Sequence, residues 1–162
     1  MVKVGLCGLR PVADAPVQPY FTRVLQLSDI LGWILSQTGP ADVDVSTYST
    51  SEGFIRRMAA LRADGSIRSC RLLCDLRASR KTLNLLPFIA SVFSDARLTS
   101  NHSEVILVHS PVLDVAVVTS QNQTRGDRHE AGVITSDAAT FRGLSDSFND
   151  VFNQALPIDG LL

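Results

Sequence analysis

Between residues 41 and 93 the hydrophobic periodicity switches twice from two to 3.6, and few folds tolerate such a pattern. ADVDVSTYS alternates through Val43, Val45 and Thr47. Ser51 then caps a helical run carrying Phe54, Ile55, Met58 and Leu61 as far as Asp64-Gly65. IRSCRLLCDL (residues 67–76) reads as a buried strand, and Ser79 opens a second helical run through Leu83, Leu86, Ile89 and Phe93, with Pro87 expected to kink or split it. Strands joined by helical crossovers predict an α/β domain built on a parallel or mixed sheet. Hydrophobic residues at 45% and charged ones at 19% of the 162 supply an ordinary globular core, and this length fits one domain.

The flanking segments extend the pattern. Phe21 to Gln37 places Val24, Leu27, Leu31, Ile34 and Leu35 at helical spacing before a Thr38-Gly39-Pro40 stop. Glu104–His109, Leu113–Thr119 and Ala131–Thr135 read as strands, the first two joined by a hairpin at Ser110-Pro111. Asp137 caps a last helix with Phe141, Leu144, Phe148, Val151 and Phe152. In residues 1–20, Val2, Val4 and Leu6 alternate like a short strand, but Pro11, Pro16 and Pro19 oppose regular structure, so this stretch is expected to be an arm. The expected organisation is an arm at 1–20, a domain at 21–156 and a tail at 157–162.

Fifteen basic against sixteen acidic residues leave a net charge of −1, so no global positive charge draws polyanions to the chain. Any nucleic-acid site must be local. Arg56, Arg57 and Arg62 on one helix read as solvated surface. Arg77, Arg80 and Lys81 follow a strand end and open a helix, a place that favours anions, and they are the candidate phosphate-binding residues. No apolar run suits a signal peptide or a membrane span, so the cytoplasm is the expected compartment, with Cys7, Cys70 and Cys74 as reduced thiols.

Residues 101–134, NHSEVILVHSPVLDVAVVTSQNQTRGDRHEAGVI, hold the candidate site. A His precedes two apolar strands, a polar loop carries Ser120 and Asn122, and Glu130 precedes a third strand. This order resembles one half of the phospholipase D superfamily, whose signature runs H-x-K, four residues, D, a strand, then G-S-x-N, often with a later Glu. The upstream VDVSTYSTSEGFIRRM and IRSCRLLCDLRAS are similar to that family's strand, capped helix and following strand, so the resemblance spans roughly residues 21 to 156. It implies a phospholipase D-like mixed sheet flanked by helices. It assigns His102 to the nucleophile, Ser120 and Asn122 to the S-x-N element and Glu130 to the downstream acid.

The departures are as specific as the matches. Glu104 stands where the family has Lys, His109 where it has Asp, and Thr119 where it has Gly; Asp114 is a candidate substitute for the lost Asp. The span from His102 to the TSQN loop is three residues longer than the compact spacing, which a longer hairpin turn absorbs. The family forms a phosphohistidine at one His while a second protonates the leaving oxygen, across two symmetric halves, and its Lys and Asn hold the phosphoryl oxygens. Glu for Lys reverses that charge, and beside His102 it would repel phosphate and favour the protonated imidazole. The implied function is therefore a phosphate- or nucleic-acid-binding or assembly module with little or no catalysis. The alternative is an active phosphodiesterase or nuclease in which Arg77, Arg80 or Lys81 supplies the missing charge. One His per chain implies a homodimer with both His102 side chains near a two-fold axis. No cofactor or metal is expected, although paired His102 and Glu104 side chains would offer zinc-type donors; a His–Glu hydrogen-bond network is the preferred reading of that set.

Overall fold

In a computed structural model, residues 6–77, 80–123 and 127–162 are described, with the side chains of Arg80 and Lys81 excepted. The elements are β1 (Val17–Thr22), α1 (Leu27–Thr38), β2 (Ala41–Thr47), α2 (Glu52–Ala63), β3 (Ile67–Asp75), α3 (Arg80–Val92), β4 (Asp95–Thr99), β5 (Val105–His109), β6 (Val115–Thr119), β7 (Glu130–Thr135), α4 (Ala138–Gln154) and β8 (Leu156–Pro157). They build one eight-stranded mixed sheet in the order β1-β7-β6-β5-β2-β3-β4-β8. The pairs β2–β3 and β3–β4 are parallel, as the helical crossovers require, and the remaining pairs are antiparallel.

Strand parity sorts the core into two layers. Val43, Val45, Cys70, Leu72, Cys74, Ile106, Val108, Val115 and Val117 pack under α1, α2 and α3, whereas Leu73, Leu107 and Ala116 meet Phe141, Phe148 and Phe152 of α4. Arg71 ties α4 to the sheet: it forms a forked ion pair with Asp44 at 2.7 and 2.8 Å, donates to Asn149 and lies over both phenyl rings. α4 covers only part of its face. On the outer strands of the same face Val17, Phe21, Val118 and Val133 stay exposed, and Pro19, Phe21, Val118 and Val133 line an apolar depression of about 530 Å³.

The expected helices and strands of residues 41–76 form with Ser51 as the α2 cap, its hydroxyl accepting from Phe54 N–H, and Gly39 at φ 73° ends α1 as the Thr-Gly-Pro stop implied. α3 runs through Pro87 without being split. Four elements differ from expectation, one of them β8, which pairs with β4 and is followed by the buried Ile158 where a tail was expected. α1 begins at Leu27 instead of Phe21, because Phe21 and Thr22 belong to β1. That strand and the buried Leu9, Val12 and Tyr20 replace the expected irregular arm. Pro19 is tolerated because β1 is an edge strand paired on one side only. β4 was not expected; five residues of DARLT carry just Ala96 and Leu98 as buried apolar positions, too short a period to stand out. The strand proposed around Val2 and Val4 lies outside the described residues. Among the described residues no helix is long and apolar enough to cross a membrane.

Candidate functional site

The candidate residues gather where β2 and β3 end and β5 begins. Asn101 fixes this junction. Its N–H donates to Asp75 Oδ2 at 2.6 Å, its amide nitrogen donates to Ser46 Oγ and to the Thr47 carbonyl, and its Oδ1 accepts from the Ser103 N–H and hydroxyl. His102, the next residue, is exposed, its ring 5.2 Å from that of Tyr48 and tilted by 55°. The other oxygen of Asp75 accepts from Arg77 N–H at 2.6 Å, so one buried carboxylate ties the start of the Arg77 turn to the start of the His102 segment. Two groups separated by 25 residues in the sequence are thereby neighbours. The side chains of Arg80 and Lys81 lie outside the described residues.

Glu104 shares strand parity with His102 but ends in the interior. It is 8% exposed, one carboxylate oxygen accepts from Tyr48 N–H at 2.7 Å, and Oε2 has no hydrogen-bond partner among the described residues. Burial pushes its pKa up from 4.5 to about 7; the Tyr48 amide and Thr47 hydroxyl oppose the rise and the charge of Glu130 adds to it. The carboxylate expected to project beside His102 is thus turned onto the Tyr48 backbone. No group of three or more metal-ligating side chains occurs among the described residues.

The S-x-N loop hangs from the adjacent strand. Thr119 N–H donates to the Glu104 carbonyl, which places Ser120 across from the segment that carries His102. The Ser120 hydroxyl donates to Glu130 Oε2 and accepts from Ala131 N–H, so Glu130 braces the loop through Ser120. Thr119 has a use for the hydroxyl that the family's Gly lacks: Tyr20 Oη meets it at 2.6 Å and also donates to Gln121 Oε1 at 2.7 Å, while Gln121 Nε2 donates to the Leu25 carbonyl. Burial raises the Tyr20 phenol to about 12 and keeps it a neutral donor. Gly132 is required beneath it, since a Cβ there would lie 2.6 Å from the Tyr20 ring.

Half-buried Asn122 lines two adjoining clefts. One, shared with Arg23, Arg128 and Glu130, is charged; the other, of about 300 Å³, lies between the first turns of α1 and α2. Arg23 and Arg128 carried no motif or cluster in the sequence, and neither did Tyr48 or Tyr20. The structure excludes two residues from this region. His109 and Asp114 pair with each other at 2.6 Å at the hairpin end of β5, the opposite end of the strand from His102, so Asp114 does not replace the missing Asp there. Their turn is stapled by Ser110 Oγ, which accepts from Val112 and Leu113 N–H.

No protein-family model and no curated protein matches the sequence. The fold does match solved structures. Nuc of Salmonella typhimurium, a phospholipase D family member, superposes with a TM-score of 0.69 at 18% identity, over 87% of this chain and 96% of that one. NucT of Helicobacter pylori gives 0.65 at 12% identity over 87% and 99%. Phosphatidylserine synthase of Haemophilus influenzae Rd KW20 gives 0.60 at 15% identity over 87% of this chain and 39% of the other. The chain therefore has the phospholipase D superfamily fold, with helices on both faces of its mixed sheet.

Proposed function

We propose that this protein is a phosphodiester-binding module of phospholipase D fold that assembles as a homodimer and hydrolyses its ligand at or near background rate. The observation that carries this reading is Glu104. At the position where the family places a phosphate-holding Lys there is a buried carboxylate committed to the Tyr48 amide, so the strand offers neither the charge nor the reach of an ammonium group. The rest of the set is suited to binding: an exposed imidazole at His102, the Ser120–Glu130 brace, Asn122, and Arg128 in the cleft beside it, where Arg23 is paired with Asp127 at 2.9 and 3.2 Å. We take a phosphodiester of the nucleic-acid kind as the ligand class to test, in keeping with the fold shared with Nuc, a phospholipase D family member.

A second copy is the natural cover for the bare strip of β1, β7 and β6. A further apolar cleft of about 180 Å³ beside α4, lined by Val105, Leu144 and Val151, runs up to Asn101 and Ser103, so apolar surface adjoins the His102 rim. Packing two copies there would bring both His102 side chains toward one axis. A second reading, an active phosphodiesterase, is favoured by one observation: Asp75 holds the Arg77 turn against the His102 segment, where Arg77, Arg80 or Lys81 could supply the missing charge.

Fluorescence anisotropy of a labelled single-stranded oligonucleotide, titrated at several salt concentrations, tests the binding reading. Saturable binding that weakens with salt and is reduced at least tenfold in the Arg77→Ala, Arg128→Ala double variant is expected. No binding at low salt would overturn it.

A further inference from the structure

We propose that the Tyr48 ring is a base-stacking surface beside His102, so that the protein takes single-stranded nucleic acid with a phosphate at the imidazole and the attached base against the phenol ring. This rests on the phosphodiester-binding reading and adds to it the part of the ligand that is recognised.

The Thr47–Tyr48 peptide group locates the surface. Its N–H donates to Glu104 Oε1 at 2.7 Å and its carbonyl accepts from Asn101 Nδ2 at 3.1 Å. Asn101 and Glu104 stand one residue before and two residues after His102, so the segment that presents the imidazole grips the root of Tyr48 from both sides. Asn101 is itself fixed, with its N–H on Asp75 and its side chain on Ser46 and Ser103. The Tyr48 ring is thereby held with its centroid 5.2 Å from that of His102 and tilted by 55°. Glu104 gains a task in this arrangement. A carboxylate where the family has a phosphate-holding Lys instead anchors an aromatic residue next to the imidazole.

Neither ring has a structural hydrogen bond to keep. Tyr48 is half-buried and His102 exposed, and neither the phenol hydroxyl nor an imidazole nitrogen has a hydrogen-bond partner among the described residues. Tyr20 shows the contrast, being 7% exposed with its hydroxyl engaged by Thr119 and Gln121. One tyrosine braces the sheet, and the other is presented at the rim. Every base has a π-face, so an aromatic ring binds bases of any sequence, and a base must leave its duplex stack to reach one. A ring beside an imidazole matches the adjacency of base and phosphate within one nucleotide. The net charge of −1 gives the chain little long-range pull on a polyanion, which leaves stacking a larger share of the affinity.

The test titrates labelled oligoadenylate, an abasic strand of equal length and a duplex by anisotropy against the natural protein, Tyr48→Phe and Tyr48→Leu. Free adenosine, which carries no phosphate, is titrated into the natural protein by proton NMR, where the chain's two tyrosines give separate ring signals. Adenosine should move the Tyr48 ring protons upfield and leave those of buried Tyr20 in place. Oligoadenylate binding should fall about fivefold or more in Tyr48→Leu and stay within about twofold in Tyr48→Phe, with the abasic strand bound alike by all three proteins and the duplex bound about fivefold more weakly than the single strand. Adenosine that leaves Tyr48 unmoved in the natural protein overturns the stacking surface, a result that does not depend on how any variant folds. Oligoadenylate bound equally by the natural protein and Tyr48→Leu, or no better than the duplex, also overturns it while phosphodiester binding stands. An adenosine shift at Tyr48 without any oligonucleotide binding upholds the surface and removes the phosphodiester reading.

Discussion

Replacing Glu104 by Gln should stabilise the protein in a strongly pH-dependent way. The folded carboxyl titrates near 7 because burial penalises its charge, whereas in the unfolded chain it titrates near 4.5. An acid whose pKa is raised on folding adds no penalty below its unfolded pKa. It destabilises progressively as pH climbs from 4.5 toward 7, and the full penalty is present above that. At 1.36 kcal/mol per pKa unit the ceiling is about 3 kcal/mol, and about 2 kcal/mol is expected once water reaching the strand end screens part of the charge. Gln keeps the oxygen that accepts from Tyr48 N–H and removes the charge. Urea unfolding should therefore give nearly equal stabilities for the two proteins at about pH 4 and a variant more stable by about 2 kcal/mol at about pH 8. A difference that is flat across this range would refute the assignment of a strained, buried carboxylate to the Lys position.

Other perturbations probe the frame that holds the site. Gly132→Ala should cost about 2–3 kcal/mol, because its Cβ would collide with the Tyr20 ring that positions Thr119 and Gln121; an unchanged urea midpoint would remove that ring from the account. Arg71→Ala should loosen α4 and cost about 2–3 kcal/mol by leaving Asp44 half-buried and unpaired, with the earliest hydrogen-exchange losses in α4. Light scattering should give a dimer mass for the natural protein and a monomer mass for Phe21→Asp, Val133→Asp; a monomer in both would leave the bare strip without its proposed cover.

The parts of the fold with strong local signals were legible in the sequence. Residues 41–76 carry a clear change of period, an N-cap at Ser51 and a Gly-Pro stop before Ala41, and the elements fall where those signals put them. What escaped depends on neighbours far along the chain. β1 contains Pro19 and is a strand only because β7 pairs with it on one side, and β4 is held between β3 and β8 with two buried apolar residues of its own. The site divides the same way. His102, Ser120, Asn122 and Glu130 could be named from the order of residues 101–134, but the direction of Glu104 could not, because parity gives the face of a strand and says nothing of which backbone amide waits there. Asn101, Asp75 and Tyr20 act through contacts 26 to 101 residues apart in sequence, which no spacing rule reports.

The central claim is that His102 stands in a binding site that has lost its hydrolytic partner. Incubating an end-labelled oligonucleotide with excess protein in the presence of a chelator, then resolving the strand by denaturing electrophoresis, tests it directly. The account predicts an intact strand at protein concentrations where anisotropy reports it bound. Cleavage products that disappear in His102→Ala would contradict it and establish a working phosphodiesterase.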